Sequence, residues 1–290
     1  MIEFFITGAI IAGLLIASYS DIKTREVPDW VNFSLIAAGI GIRLIMSAVQ
    51  MNPMPLIEGA IGMIAGVVIA YTMFYAGQWG GGDSKLLMGL GALIGIKLSV
   101  AEVPFFFSFL INTFLIGAVY GFIWALILAI RRRKDFVPAL KKIAKNNSVK
   151  IIHAIVIIAA VAFGIIALLI NDFMLRLGAL LIAILTLATF YLYVFIKSIE
   201  ESCMKKYVAP DKLTEGDWIV EDIVYKGKRI CGPKDLGIEK KQIQELMRLY
   251  KQKKVKRVLI KEGIPFVPSF LIGYLMTLIL GNIILIFIHV

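Results

Sequence analysis

The feature that most constrains this chain is a succession of long apolar runs separated by short polar intervals. A membrane-spanning helix needs about 20 mostly apolar residues. Eight stretches qualify as candidates: 2–20, 30–49, 57–77, 84–101, 104–130, 151–170, 174–196 and 267–288. The fourth carries the weakest signal, with Gly89, Gly91, Gly95 and Lys97 inside it, and the fifth is long enough to tilt. Hydrophobic residues make up 59% of the chain and charged residues 18%, against roughly 25% charged in soluble domains. The expected fold is an all-α polytopic membrane helix bundle of about eight spans with a small cytoplasmic α+β domain. Residues 1–20 contain Glu3 and lack a basic flank, so they read as a retained span rather than a cleaved signal peptide.

Basic residues set the expected orientation. With the N-terminus outside, the inner stretches are 21–29, 78–85, 131–150 and 197–266. They hold 28 of the 31 Lys and Arg residues, leaving Arg43, Lys97 and Arg176 outside. Both termini are then expected to face out. The net charge of +11 becomes a topology signal against anionic lipid, and a nucleic-acid partner is not expected. The RRRK run opening 131–150 reads first as a cytoplasmic anchor at the bilayer surface and second as a docking site.

The stretch 197–266 is the one able to form a soluble domain. DWIVEDIVY, the turn KGKR and RICG predict a hairpin. EKKQIQELMRLYKQKK predicts a helix with Ile243, Leu246, Met247 and Tyr250 on one face, and VKRVLI a further strand. So small a core is expected to need docking to the bundle. Cys203 and Cys231 form no CxxC pair and lie on the cytoplasmic side, so neither a zinc site nor a disulfide is expected. His153 and His289 are isolated, and no metal or other cofactor is expected. Asn112 and Asn282 read as interhelical hydrogen bonders. The GLGAL run at 89–93 reads as a surface for close helix packing.

Two places break the apolar pattern at the inner face. SYSDIKTREVPDW brings Asp21 to the end of the first span, and Pro28 holds Val27 extended so that the chain turns. QWGGGDSKLLMGLGAL opens the fourth candidate span with Asp83 after Gly80, Gly81 and Gly82. Taken singly, each aspartate reads most simply as a helix cap or an interfacial residue, and Asp83 is well placed for capping. As a same-side pair they have the composition of a hydrolytic centre. One carboxylate activates water while the other, protonated, donates to a carbonyl oxygen. Two close carboxylates share one proton and supply both roles. The glycines would let a substrate strand approach closely or let the chain bend. Helix dipoles predict unequal roles: Asp83 at a helix start favoured as the ionised base, Asp21 at a helix end as the acid. Lys85 would tune the pair or snorkel. Asp29 and Glu26 would contact a basic substrate segment or remain solvated loop charges.

The pattern D21-IKT-R25-E-VP followed by GGGDSKLLMGLGAL resembles the prepilin and preflagellin peptidases, the class III signal peptidases of the GxGD membrane aspartic protease family, in its archaeal branch. The resemblance covers about residues 1–130. EGDWIVEDI and KEGIPFVPSFLIGYL further along are similar to C-terminal regions attached to archaeal members. The resemblance implies Asp21 and Asp83 as the catalytic pair. It implies removal of short basic leaders from pilin-like or archaellin precursors at the cytoplasmic face, with the apolar helix that follows the cut left on the product. Bacterial relatives add N-methylation through a cysteine-rich zinc region that has no counterpart here, so peptidase activity alone is expected. The domain layout expected is 1–130 peptidase core, 131–150 basic loop, 151–196 two further spans, 197–266 cytoplasmic domain and 267–290 final span. The cytoplasmic domain would contact the soluble part or leader of the precursor. The competing readings are a presenilin-like protease cutting within the bilayer and a transporter with a cytoplasmic domain. The latter would be expected to carry ionisable groups at mid-membrane.

Overall fold

A computed structural model describes residues 2–98 and 103–288. Its helices are α1 (Ile2–Thr24), α2 (Asp29–Val49), α3 (Met54–Tyr75), α4 (Gly81–Ile94), α5 (Phe105–Arg131), α6 (Arg133–Lys145), α7 (Asn147–Leu169), α8 (Phe173–Ser202), α9 (Lys240–Lys251), α10 (Val267–Leu280) and α11 (Ile283–Ile288). Among the described residues five short strands follow α8: β1 (Lys205–Val208), β2 (Trp218–Ile219), β3 (Ile223–Tyr225), β4 (Lys228–Cys231) and β5 (Val258–Lys261).

Among the described residues six helices, α1, α2, α3, α5, α7 and α8, are long and apolar enough to cross a membrane. Large side chains along them face outward, Ile158 on α7 at 69% and Leu185 on α8 at 61% exposure, as lipid-facing surfaces do. The chain is a multi-pass membrane protein. Of the eight candidate spans, the fourth and the eighth differ from expectation. Each forms a helix of 14 residues, about 21 Å long at 1.5 Å per residue against a hydrocarbon core of about 30 Å. Their stops are local: Gly95 (φ 69°) and Gly281 (φ 68°) take left-handed backbone that ends a helix. The last residues of the fourth candidate, 99–101, lie outside the described residues, as does His289.

The chain divides into two compact units, one within residues 1–122, 209–258 and 262–290, the other 123–208 with 259–261. In the first, α4 packs against α3, α2 and α1, and α1 also packs on α10. Its core joins Ile10 and Leu14 of α1, Leu86, Leu87 and Leu90 of α4, Phe106 and Phe109 of α5, and Phe270 and Tyr274 of α10. The expected close packing of GLGAL is present. Gly91 meets Gly62 of α3 so closely that a Cβ on either would overlap the other's carbonyl oxygen. Gly89 lies against Leu35 and Asn32 of α2.

Arg43, one of the three basic residues expected on the outer side, is buried at 6% exposure. Its guanidinium donates to the carbonyls of Ala92 and Leu93 at 2.8 Å, of Ile94, and of Pro55 at 3.0 Å, with Glu58 at 3.7 Å. The last carbonyls of a helix lack partners within it, and a cation there also meets the negative dipole end. Arg43 is therefore the C-terminal cap of α4, supplied from another helix. Asn112 bonds across to α10, donating to Thr277 Oγ1 at 2.9 Å and to the Gly281 carbonyl at 2.7 Å. Asn282 acts locally instead, accepting from the Ile284 N–H at the start of α11.

The stretch 209–258 of this unit contains the expected hairpin, β3 against β4, antiparallel, turning at Lys226 (φ 50°) and Gly227 (φ 80°). The expected helix is α9, which buries Leu246 and Leu249, while Tyr250 is turned outward. Arg229 bridges Asp222 at 2.7 Å and Asp235 at 2.9 Å. Cys203 and Cys231 are both free and buried. Burial, reinforced by the Asp235 carboxylate, pushes the Cys231 thiol up to about 11 from 9.0. At pH 8 it should carry roughly 100-fold less thiolate than an unshifted cysteine. Maleimide labelling should therefore be slow until the chain is unfolded, and fast labelling of native protein would contradict this burial.

In the second unit α7 and α8 form a hairpin, and the basic stretch 131–150, expected as a loop, is mostly the helix α6 packed on α8. Phe136 of α6 packs on Phe195 with ring centroids 5.6 Å apart. That apolar anchor is why the basic run is helical rather than irregular. His153 stacks on Phe190 at 4.9 Å and hydrogen-bonds the Tyr191 hydroxyl.

Candidate active site

The two aspartates come from opposite kinds of helix end. Asp21 stands in the last turn of α1 and is buried at 4% exposure. The helix closes just after it: Arg25 adopts left-handed backbone (φ 62°) and its N–H returns to the Asp21 carbonyl at 2.9 Å. The chain then runs non-helical to Pro28 (φ −60°, ψ 135°), the cap of α2, as the proline predicts. Asp83 lies in the first turn of α4, where its Oδ2 accepts the Gly80 N–H at 3.3 Å. The simple capping role expected of a lone aspartate is thus present at Asp83. The two helix ends that carry them are packed together: Gly82, beside Asp83, lies against Val27, six residues past Asp21.

The dipole asymmetry expected from the sequence loses its basis. Asp21 Oδ2 accepts a 2.9 Å hydrogen bond from the N–H of Val267, the first residue of α10. Each carboxylate therefore faces the positive end of a helix, Asp83 that of α4 and Asp21 that of α10. A contact between residues 246 positions apart could not enter an argument made from α1 alone.

The three glycines divide in role. None of Gly80, Gly81 and Gly82 has positive φ. A Cβ on Gly81 would meet nothing within 4 Å, and one on Gly80 would touch only Asp83 Oδ2 at 3.8 Å. A Cβ on Gly82 would lie 3.2 Å from Val27 N and 3.3 Å from Val27 Cβ. Gly82 is thus required by the fit of the α3–α4 turn against the α1–α2 loop, which Asn32 Nδ2 also joins through the Gly82 carbonyl. Exposed Gly80 and Gly81 leave open space beside the carboxylates. Gly81→Ala is expected to leave the melting temperature unchanged. Gly82→Ala should cost roughly 1 kcal/mol by forcing Val27 to shift. Equal melting temperatures for the two variants would refute that division.

Lys85 and Asp29 resolve each other. Asp29, the first residue of α2 rather than a loop charge, pairs with Lys85 Nζ at 2.7 Å, and the same ammonium sits 5.6 Å from the Phe33 ring centroid. Lys85 thereby braces α4 against α2. Glu26 is exposed in the α1–α2 loop.

Sequence reasoning missed the floor of the site. Trp79, immediately before the glycines, is buried in contact with Phe114, Phe266 and Phe270 at 5.9, 5.6 and 5.4 Å. Phe266 and Val267 come from the far end of the chain. Pro268 beside them marks a helix start, but nothing in a linear sequence shows which residue that helix start will meet.

Residues 8–126 match the type IV leader peptidase family. Over 31% of its length the chain is 43% identical to a preflagellin peptidase of Methanocaldococcus jannaschii, and over 28% it is 43% identical to that of Methanococcus voltae. The matched stretches span little more than a third of those relatives, 37% and 35%. The prepilin peptidase EppA of Methanothermobacter thermautotrophicus is 21% identical across 92% of both chains. The resemblance read from D-x3-R-x-VP and GGGD is borne out, and both aspartates lie within the matched region.

Proposed function

We propose that this protein is a membrane aspartic endopeptidase that removes short basic leaders from type IV pilin-like or archaellin precursors. Asp21 and Asp83 are its catalytic pair. The observation that carries this reading is the packing of the two aspartate-bearing helix ends against each other, Gly82 on Val27, beside the open Gly80–Gly81 backbone and within the segment matched to leader peptidases.

In the reaction, one carboxylate takes a proton from water as its oxygen attacks the scissile carbonyl carbon. The other carboxyl gives its proton to the carbonyl oxygen. The tetrahedral diol collapses, the C–N bond breaks, and the departing amine takes up a proton. With both carboxylates facing helix N-termini, the shared proton has no assigned owner between turnovers. No metal or other cofactor enters these steps.

We place both termini outside the plasma membrane and the site at its cytoplasmic face, on the strength of the basic-residue asymmetry, with α4 and the residues after it, and α10 with α11, each completing a crossing that the 14-residue helix alone is too short to make. In this reading residues 1–130 are the peptidase core and 197–266 a cytoplasmic region that meets the precursor. The aspartates' positions in terminal helix turns favour cutting near the membrane surface. A presenilin-like enzyme would carry them within its spans.

The test is incubation of purified protein with a precursor bearing a basic leader and an apolar helix. Release of the leader with the helix intact is expected. Cleavage confined to mid-membrane substrates would favour the presenilin-like reading instead.

A further inference from the structure

Residues 262–266 form neither helix nor strand and lead into α10. This short segment touches the candidate site at three places. Glu262 Oε1 lies 3.9 Å from Arg25 Nε, just beyond Asp21 in the chain. Phe266 packs on Trp79, which precedes Gly80, and sits where Gly117 of α5 has no side chain; a Cβ there would overlap its ring. Val267 N–H is bonded to Asp21 Oδ2. One carboxylate of the proposed pair, buried at 4% exposure, is therefore already bonded by a backbone amide of this segment.

The order of chemistry along this part of the chain matches that of the substrate class proposed above. Lys251, Lys253, Lys254, Lys256 and Arg257 come first, then the short strand β5 and the irregular residues 262–266 near the aspartate, then an apolar helix. We propose, resting on the peptidase reading, that residues 262–267 are a built-in pseudosubstrate: they cover Asp21 in the free protein and withdraw when a precursor enters. The ion pair is part-exposed, with side chains 26% and 42% accessible. The rest is the Val267 N–H bond to Asp21, the Phe266 ring seated among other rings, and the buried Pro265 and Val267 side chains, so the Glu262 end is the one that releases most readily.

Covering the site lowers the apparent affinity for a precursor by the fraction of molecules that are open. Glu262→Lys, which sets two cations against each other, and Phe266→Ala, which empties the ring's seat, both shift the balance toward open. Leader release by wild type and both variants would be measured as kcat and KM. In parallel, deuterium uptake at 262–267 in the wild type would be followed with and without precursor.

The expected result is a rise in kcat/KM of at least about threefold in Glu262→Lys, carried by KM. Uptake at 262–267 should increase when precursor is added. Glu262→Lys guards against the case in which Phe266→Ala damages the aromatic cluster and simply lowers the melting temperature. Unchanged or lower kcat/KM in a Glu262→Lys protein of native melting temperature would overturn the pseudosubstrate and leave the peptidase standing. So would cleavage by wild type with no change in uptake. Silence of wild type and both variants toward every precursor would remove the peptidase reading, and the pseudosubstrate with it.

Discussion

Asp21→Asn and Asp83→Asn are each expected to slow leader release by at least about 100-fold, the usual contribution of a positioned general acid or base. An amide cannot exchange a proton with water or with the scissile carbonyl, whichever of the two roles the residue plays. The substitutions are chosen because they preserve the fold. The Asn side-chain oxygen still accepts the Gly80 N–H at position 83 and the Val267 N–H at position 21, the bonds the carboxylates accept now. Melting temperatures within a few degrees of wild type are therefore expected, so that lost activity is lost chemistry. The double variant should be little worse than either single one, because the two residues act as a unit. Wild-type kcat/KM should fall on both sides of a pH optimum, since one carboxyl must be protonated and the other ionised. Either single variant retaining most of the wild-type rate would end the aspartic mechanism.

Arg43→Leu is expected to destabilise the protein by roughly 3 kcal/mol, the scale for losing charge-assisted hydrogen bonds and stranding their buried acceptors. The guanidinium closes the C-terminal end of α4 through the Ala92, Leu93 and Ile94 carbonyls and ties them to Pro55 at the start of α3. A leucine of similar length fills the space and bonds none of them. Arg43→Lys should recover only part of the loss, because one ammonium cannot reproduce the planar fork that reaches several carbonyls. The measurement is thermal or denaturant unfolding in detergent. Activity should fall as well, since α4 holds Asp83 in its first turn and Arg43 grips its last. A Leu variant as stable as wild type would show that the α4 carbonyls find other partners.

Much of this molecule is legible in its sequence, for local reasons. Apolar runs of spanning length mark α1, α2, α3, α5, α7 and α8, since length and hydropathy need no knowledge of neighbours. Lys226-Gly227 marks the β3–β4 hairpin because the turn requires positive φ. The spacing of D-x3-R-x-VP and GGGD marks the leader-peptidase resemblance. The misreadings have a common cause. The basic stretch 131–150 resembled a loop until Phe136 found Phe195. Asn282 resembled an interhelical bonder until it capped its own helix, and no residue near Arg43 in the chain shows that it meets the end of α4.

The paired aspartates divide the same way. That Asp21 ends one helix and Asp83 begins another follows from the residues around them, because caps, prolines and glycines act within a turn of the chain. What the carboxylates meet was decided by tertiary structure. Val267 reaches Asp21 across most of the chain, and Lys85 spends its charge on Asp29 rather than on the pair. A helix dipole acts on whatever lies at its end, and only packing brings the N-terminus of α10 to the C-terminal turn of α1.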